Sequence, residues 1–325
     1  MGSSWRKGAV VLVVAVAGSI FASTATAATG VVSTSFPPGF PTIVDVSLGT
    51  PVIGFGATGP VHRTPVIFLH GNNDTPFATA CNPYGAIHSL AQYLADHGYA
   101  PSELWGLGYQ GDQCDTIATP TNKSSFAHST IANIPDLDRF VGAVLRYTGA
   151  RRVDIVGHSL GVTLARAWMR ATGKGELVRR LVAIDGPNHG ITDCSPSPLN
   201  YFQLPANGGF TPDSAICREY GSADSLFLRL LNFGDETPRP TQFLVIRNVG
   251  ADFVYASAQD GFFPAVPAED SHGRPHDFSS SAQLAGAEEL TLTGQGIYDP
   301  FLGTSHLGIL NSPQTWAATL AFLTR

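Results

Sequence analysis

Val153-Asp154-Ile155-Val156-Gly157-His158-Ser159-Leu160-Gly161 is the stretch on which the reading of this chain turns. Its first four residues are mostly apolar and β-branched, the signature of a short buried strand. Gly161 to Thr172 then has helical spacing, with Leu164, Ala167 and Trp168 on one face. Between strand and helix the chain reverses around one serine. The glycines flanking Ser159 answer a steric demand, because a side chain at either place would collide with neighbouring backbone. Such a turn lifts the serine hydroxyl above the sheet edge, at the positive end of the following helix. The bare Gly-x-Ser-x-Gly pattern is weak, and the strand before it and the helix after it give it weight.

The same alternation extends in both directions. Val66 to Leu69, Leu104 to Tyr109, Leu181 to Ile184 and Gln242 to Arg247 read as strands. Tyr84 to His97 reads as a helix with Gly98 as its cap, Asp136 to Tyr147 as a helix opening at Pro135-Asp136, and Pro313 to Thr324 as the closing helix. Strands alternating with helices predict an α/β fold, a mostly parallel sheet with helices on both faces. In such a sheet the chemistry collects at the carboxyl ends of the strands.

A serine hydroxyl needs a base, and the base needs an orienting group. In chain order the expectation is Ser, then Asp or Glu, then His. His306, in Gly303-Thr304-Ser305-His306-Leu307-Gly308, stands just before the last helix and is the expected base. His189 follows a strand too closely, and His272 and His276 lie in a charged loop. Asp252 lies in Gly250-Ala251-Asp252, shortly after the strand containing Phe243-Leu244-Val245-Ile246, and is the expected acid; Asp260 is the alternative. His70-Gly71-Asn72 follows a strand, so the Asn72 N–H and the Leu160 N–H are the expected oxyanion donors.

Composition sets the outer limits. The 325 residues are 43% hydrophobic and 14% charged, enough apolar content for a sizeable core and too little charge for a disordered polyelectrolyte. The formal charge of −6 leaves no basic excess for a phosphate backbone, so nucleic acid is not an expected partner. Arg6 and Lys7, the apolar run Ala9 to Phe21 and Ala25-Thr26-Ala27 together read as an export signal cleaved before Ala28. The apolar run is too short to span a bilayer comfortably. Cleavage leaves 298 residues with 17 Lys+Arg against 25 Asp+Glu, a charge of −8. The expected organisation is a signal peptide over 1–27, an irregular extension over 28–60 and a catalytic domain over 61–325. The mature chain is expected to be a secreted monomer without stable membrane insertion.

Export makes the cysteines readable. Four of them allow two disulfides in three pairings. Cys81–Cys114 and Cys194–Cys217 are favoured, because each closes a loop flanked by Gly, Pro and Asn. Zinc is the competing reading, but neither Cys-x-x-Cys nor paired His spacing occurs.

Phe68-Leu69-His70-Gly71-Asn72, the Val153 to Gly161 stretch, Gly186-Pro187-Asn188-His189-Gly190 and the Gly303 to Gly308 stretch together resemble the secreted bacterial class 2 lipases, an α/β-hydrolase family that includes the small Bacillus lipases. Leu231-Asn232 and Gly234-Asp235-Glu236-Thr237-Pro238, followed by Gly250-Ala251-Asp252, resemble the family segment that leads to its catalytic aspartate. The resemblance covers roughly residues 60 to 325. It implies a carboxylic ester hydrolase acting on lipid esters, with the triad Ser159, Asp252 and His306 and no cofactor. The His70-Gly71-Asn72 loop and Tyr147-Thr148-Gly149 are also similar to an extracellular polyhydroxyalkanoate depolymerase, so a polyester is the alternative substrate. Residues 187–240 and 253–302 carry length beyond the minimal lipases. The first holds a helix-like Leu226-Phe227-Leu230-Leu231 stripe, readable either as a roof over an acyl pocket or as a core-packing helix. Some larger bacterial lipases use calcium; Glu269-Asp270-Ser271-His272 with His276-Asp277 lacks the spacing of a known loop site and reads as a solvated loop.

Overall fold

Apolar runs of four to seven residues become central strands where helices cover both faces. The computed structural model describes residues 30–114, 128–198, 200–203, 209–249, 268–293 and 304–325, and in these seven strands form one sheet. They are β1 (Ile53–Phe55), β2 (Val66–Leu69), β3 (Leu104–Gly108), β4 (Val153–His158), β5 (Val178–Ile184), β6 (Gln242–Asn248) and β7 (Glu288–Leu292), in the order β1-β3-β2-β4-β5-β6-β7. Only β1 runs antiparallel to its neighbour; every other pair is parallel. The period of two along each strand divides the core in half. On β2, Ile67 and Leu69 enter one apolar cluster and Val66 and Phe68 the other; on β6, Phe243 and Val245 separate from Leu244 and Ile246 in the same way.

Helices α1 (Ala86–Asp96) and α7 (Pro313–Thr324) close one face through Ile87, Leu90, Leu94, Phe322 and Leu323. Helices α2 (Thr130–Thr148) and α3 (Leu160–Thr172) close the other through Leu137, Phe140, Val144, Leu164 and Trp168. The expected mostly parallel, doubly covered sheet is therefore the observed one. Apart from β1 and an isolated Val44–Pro51 bridge, residues 30–60 form no strand or helix. Phe40 from this stretch stacks on Trp105 at 5.1 Å, and Phe36 lies 5.7 Å from the Phe140 ring.

Two expectations are corrected. The helix expected to open at Pro135-Asp136 begins at Thr130 and carries Pro135 inside it. Its start is capped twice: the Ser129 hydroxyl accepts from the Ala132 N–H, and the Glu219 carboxylate accepts from the Thr130 N–H at 2.7 Å. Those acceptors satisfy donors that a first turn leaves open. The apolar stripe beginning at Leu226 does form a helix, α5 (Leu226–Leu231), which follows the short α4 (Ala215–Tyr220). Its packing differs from the stripe, since Leu228 and Leu231 are buried whereas Leu226 and Leu230 are 70% and 59% exposed. The Leu231 carbonyl accepts from Arg170 Nε in the last turn of α3, which sets the end of this helix beside the far end of α3 from Ser159.

Candidate active site

Ser159 stands between β4 and α3 with φ 51° and ψ −123°, a conformation costly to a residue with a Cβ. The crowding that demands glycine at its flanks is measurable. A Cβ on Gly157 would lie 2.8 Å from the backbone of Gly161 and Val162, and one on Gly161 would lie 2.4 Å from the Leu69 carbonyl oxygen. The Ser159 N–H donates to the Ile184 carbonyl at 2.9 Å, which pins the strained residue to the end of β5.

The end of β2 supplies the wall opposite this turn. A Cβ on Gly71 would come within 3.1 Å of Ser159 Cβ, so backbone packs here without a side chain between. The Gly71 carbonyl accepts from His70 Nδ1 at 2.7 Å and from the Asp74 N–H at 3.3 Å. In a planar trans peptide the N–H points opposite to the carbonyl. Holding the Gly71 oxygen therefore aims the Asn72 N–H the other way, and that N–H meets no acceptor among the described residues. Leu160 opens α3, where the first N–H groups lack intrahelical acceptors. His70 is itself fixed: its ring stacks on Tyr109 at 4.2 Å, and the Tyr109 hydroxyl donates to its carbonyl. Burial pulls the His70 pKa down to about 4, which keeps the imidazole neutral near pH 7 with its proton on Nδ1.

His306 lies in α6 (Thr304–Gly308) and is buried. Its carbonyl accepts from His158 Nε2 at 2.8 Å, and the two rings stand 4.8 Å apart. The residue just before Ser159 thus ties the serine turn to the segment carrying His306. Burial first, and the neighbouring His306 second, hold His158 well below the ordinary histidine range, so it acts as a neutral donor.

Asp252 and Asp260 lie outside the described residues. The edge from which their segment departs is described: the Asp185 N–H donates to the Ile246 carbonyl, and the Asn248 N–H donates to Asp185 Oδ1, both at 2.9 Å. These bonds bind the carboxyl ends of β5 and β6 together. His189, set aside in the sequence, meets Glu236 at 2.9 Å. Both cysteine pairs, Cys81–Cys114 and Cys194–Cys217, are joined as disulfides. Asp270, in the loop weighed for calcium, is bonded to Arg274 Nε at 2.7 Å. No group of three potential metal ligands occurs among the described residues.

Three residues here escaped the sequence reading. His158 was visible only as the variable position of a motif. His128 and Gln110 sit 56 and 38 positions from Asn72, yet both donate to its side-chain oxygen, at 2.6 and 3.1 Å. No local pattern announces such a contact.

A family model described as lipase (class 2) matches residues 63–259. Among solved structures the chain is similar to Bacillus licheniformis lipase BlEst2 in its mature form, at 15% identity over 83% of this chain and 97% of that one, with a TM-score of 0.48. It is similar to the propeptide form of the same lipase at 17% identity over 82% and 52% of the two chains, with a TM-score of 0.47. Aspergillus fumigatus lipase B matches at 16% identity over 81% and 53%, with a TM-score of 0.48. The chain spans about half the length of these last two. The doubly covered, mostly parallel sheet with a strand–serine–helix turn at its centre is an α/β-hydrolase fold.

Proposed function

The chain belongs to the class 2 lipase family, and we propose that it is a secreted serine hydrolase of lipid esters with Ser159, Asp252 and His306 as its triad. The observation that carries this reading is the strained Ser159 turn, set against a backbone N–H at Asn72 without an acceptor and bonded through His158 to the His306 segment.

In this reading Ser159 Oγ attacks the ester carbonyl carbon while His306 takes its proton. The carbonyl oxygen becomes an oxyanion between the N–H groups of Asn72 and Leu160, each such donor contributing roughly 3 kcal/mol. His306 returns the proton to the departing alcohol, and Asp252 holds the imidazole in the tautomer that permits both transfers. Water then attacks the acyl-enzyme with His306 again as base, releasing the acid and free Ser159. Residues 1–27 are proposed to direct export, in keeping with the two disulfides.

Ser159→Ala is expected to lower p-nitrophenyl butyrate turnover by at least about 10⁴-fold and to abolish covalent labelling by a fluorophosphonate. Labelling that persists at another serine refutes the assignment. Asp252→Asn is expected to collapse the rate and Asp260→Asn to spare it; the reverse result moves the acid. Tributyrin hydrolysis measured beside clearing of a polyhydroxybutyrate suspension separates lipid esters from a polyester.

A further inference from the structure

The chain as a whole is acidic, yet one of its cavities is lined by cations. Its volume is about 500 Å³, within the range that takes a small molecule, and it lies where β2 and β4 begin. His62, Arg63 and Thr64 lead into β2, Arg151 and Arg152 lead into β4, and Arg179 joins them from β5. Among the described residues no Asp or Glu lines it.

The four guanidiniums are of two kinds. Arg179 is bonded to Asp154 and to the Leu323 carbonyl, and Arg63 lies 4.7 Å over the Tyr99 ring. These two are held in place. Arg151 and Arg152 are exposed and meet neither a carboxylate nor another acceptor among the described residues. Glu103, the other carboxylate near the opening, is buried and already accepts from the His62, Arg63 and Ala100 N–H groups. Set against Asp154 and Glu103, the four arginines leave a charge of +2. The adjoining end of α2 does not account for them. There the Thr148 hydroxyl donates to the Val144 carbonyl at 2.7 Å, and the Ala150 N–H donates to Thr148 Oγ1 at 3.3 Å. Like charges gathered in this way repel one another, and a bound anion relieves that repulsion.

We propose that this cavity binds a phosphomonoester group, carried by a small molecule or by a lipid headgroup. Guanidinium forks match phosphate oxygens in pairs, and a phosphomonoester carries about −2 at pH 7, which equals the excess. A single carboxylate answers only half of it. The whole of β4 separates Arg152 from Ser159, about 20 Å at the rise of a strand. The ligand thus binds at the opposite edge of the sheet from the serine, and the proposal stands whether or not Ser159 is a nucleophile.

The test is titration calorimetry of the mature chain with glycerol 3-phosphate, beside sedimentation with vesicles of phosphatidylcholine and phosphatidic acid in equal parts. Arg151→Glu/Arg152→Glu reverses the two open cations. Arg229→Glu, at an exposed arginine on α5 outside the cavity, is the control. Wild type is expected to bind at low ionic strength, and the double variant to bind at least about tenfold more weakly. The control should stay within about twofold of wild type, and about 0.5 M sodium chloride should weaken wild-type binding. A calorimetric signal with glycerol 3-phosphate supports a soluble phosphate compound as ligand. Sedimentation without that signal supports a headgroup. Folded wild type that binds neither probe overturns the proposal, as does a folded double variant that binds like wild type or a control that loses as much. Thermal unfolding checks the fold of each variant, and where the double charge reversal does not fold, Arg151→Gln/Arg152→Gln takes its place with a loss expected in the same direction.

Discussion

At the amino ends of β4 and β5, Arg179 grips the buried Asp154 carboxylate with two hydrogen bonds, and Arg180 spans the Gln242 side chain and the Leu323 and Arg325 carbonyls. At the carboxyl ends of β2 and β4 the buried polar groups, His70 and His158, are neutral imidazoles, each donating a single proton to a carbonyl. His128 does the same for the amide of Asn72. At the amino ends the Asp154 carboxylate is met by an opposite charge. Around the serine, fixed dipoles take the place of such charges, and a dipole already oriented needs no rearrangement when charge develops on a reacting oxygen. A buried cation beside the serine would favour the oxyanion too, but at a desolvation cost that neutral donors avoid.

The contrast is open to breakage. The largest effect is expected at the carboxyl end from Gly161→Ala. Its Cβ would stand 2.4 and 2.7 Å from two backbone oxygens, those of Leu69 and His70, so the serine turn or β2 must shift. Urea unfolding should report a loss of about 4 kcal/mol, together with most of the activity. At the amino end, Arg179→Met leaves the Asp154 carboxylate buried without its partner. Arg179 is itself 32% exposed, so the loss should fall near the low end for buried pairs, about 3 kcal/mol, with turnover on the folded enzyme unchanged.

The third prediction concerns protons. Burial sets the His128 pKa at about 4, while an unfolded histidine titrates near 6.5. Between those values the unfolded chain holds a proton that the folded one lacks. The contribution of this histidine is therefore complete above pH 6.5 and declines by about 1.4 kcal/mol per pH unit as pH falls towards 4. His128→Gln lacks that slope. The wild-type minus variant difference in unfolding free energy should be flat above pH 6.5 and shrink below it; a difference that ignores pH would place a charged imidazole at residue 128. The smallest effect is expected from Glu288→Gln, which breaks a pair with Arg325 in which both side chains are 55% exposed, and should cost under about 0.5 kcal/mol.

The legible parts of this molecule are those where one short segment states its own surroundings. β2, β4, β5 and β6 are apolar because both of their faces are covered, and the glycines around Ser159 record a clash that any residue with a Cβ would meet. β7 escaped notice because an edge strand with two exposed glutamates has no apolar run to show. α4 is a six-residue turn of helix, too short for its spacing to register. The start of α2 was misplaced because Pro135 reads as a helix opening although it lies inside the helix; Ser129 is a local cap, and the second cap comes from Glu219, about ninety residues further on. The pair of donors on the Asn72 side-chain oxygen is of the same kind, since His128 and Gln110 are brought to it only by the packed chain.

That distant cap has a consequence for the order of events. Helix α2 carries Pro135 in its second turn, and its first N–H, that of Thr130, takes its acceptor from Glu219, two residues past Cys217. A nascent chain that has emerged only as far as α3 has the serine turn in hand but lacks one of the two acceptors that cap α2, the helix packed beside α3. Completion waits for a loop closure of long range, which slows folding and leaves apolar surface bare in the interval. Maturation is thereby tied to arrival of the later half of the chain.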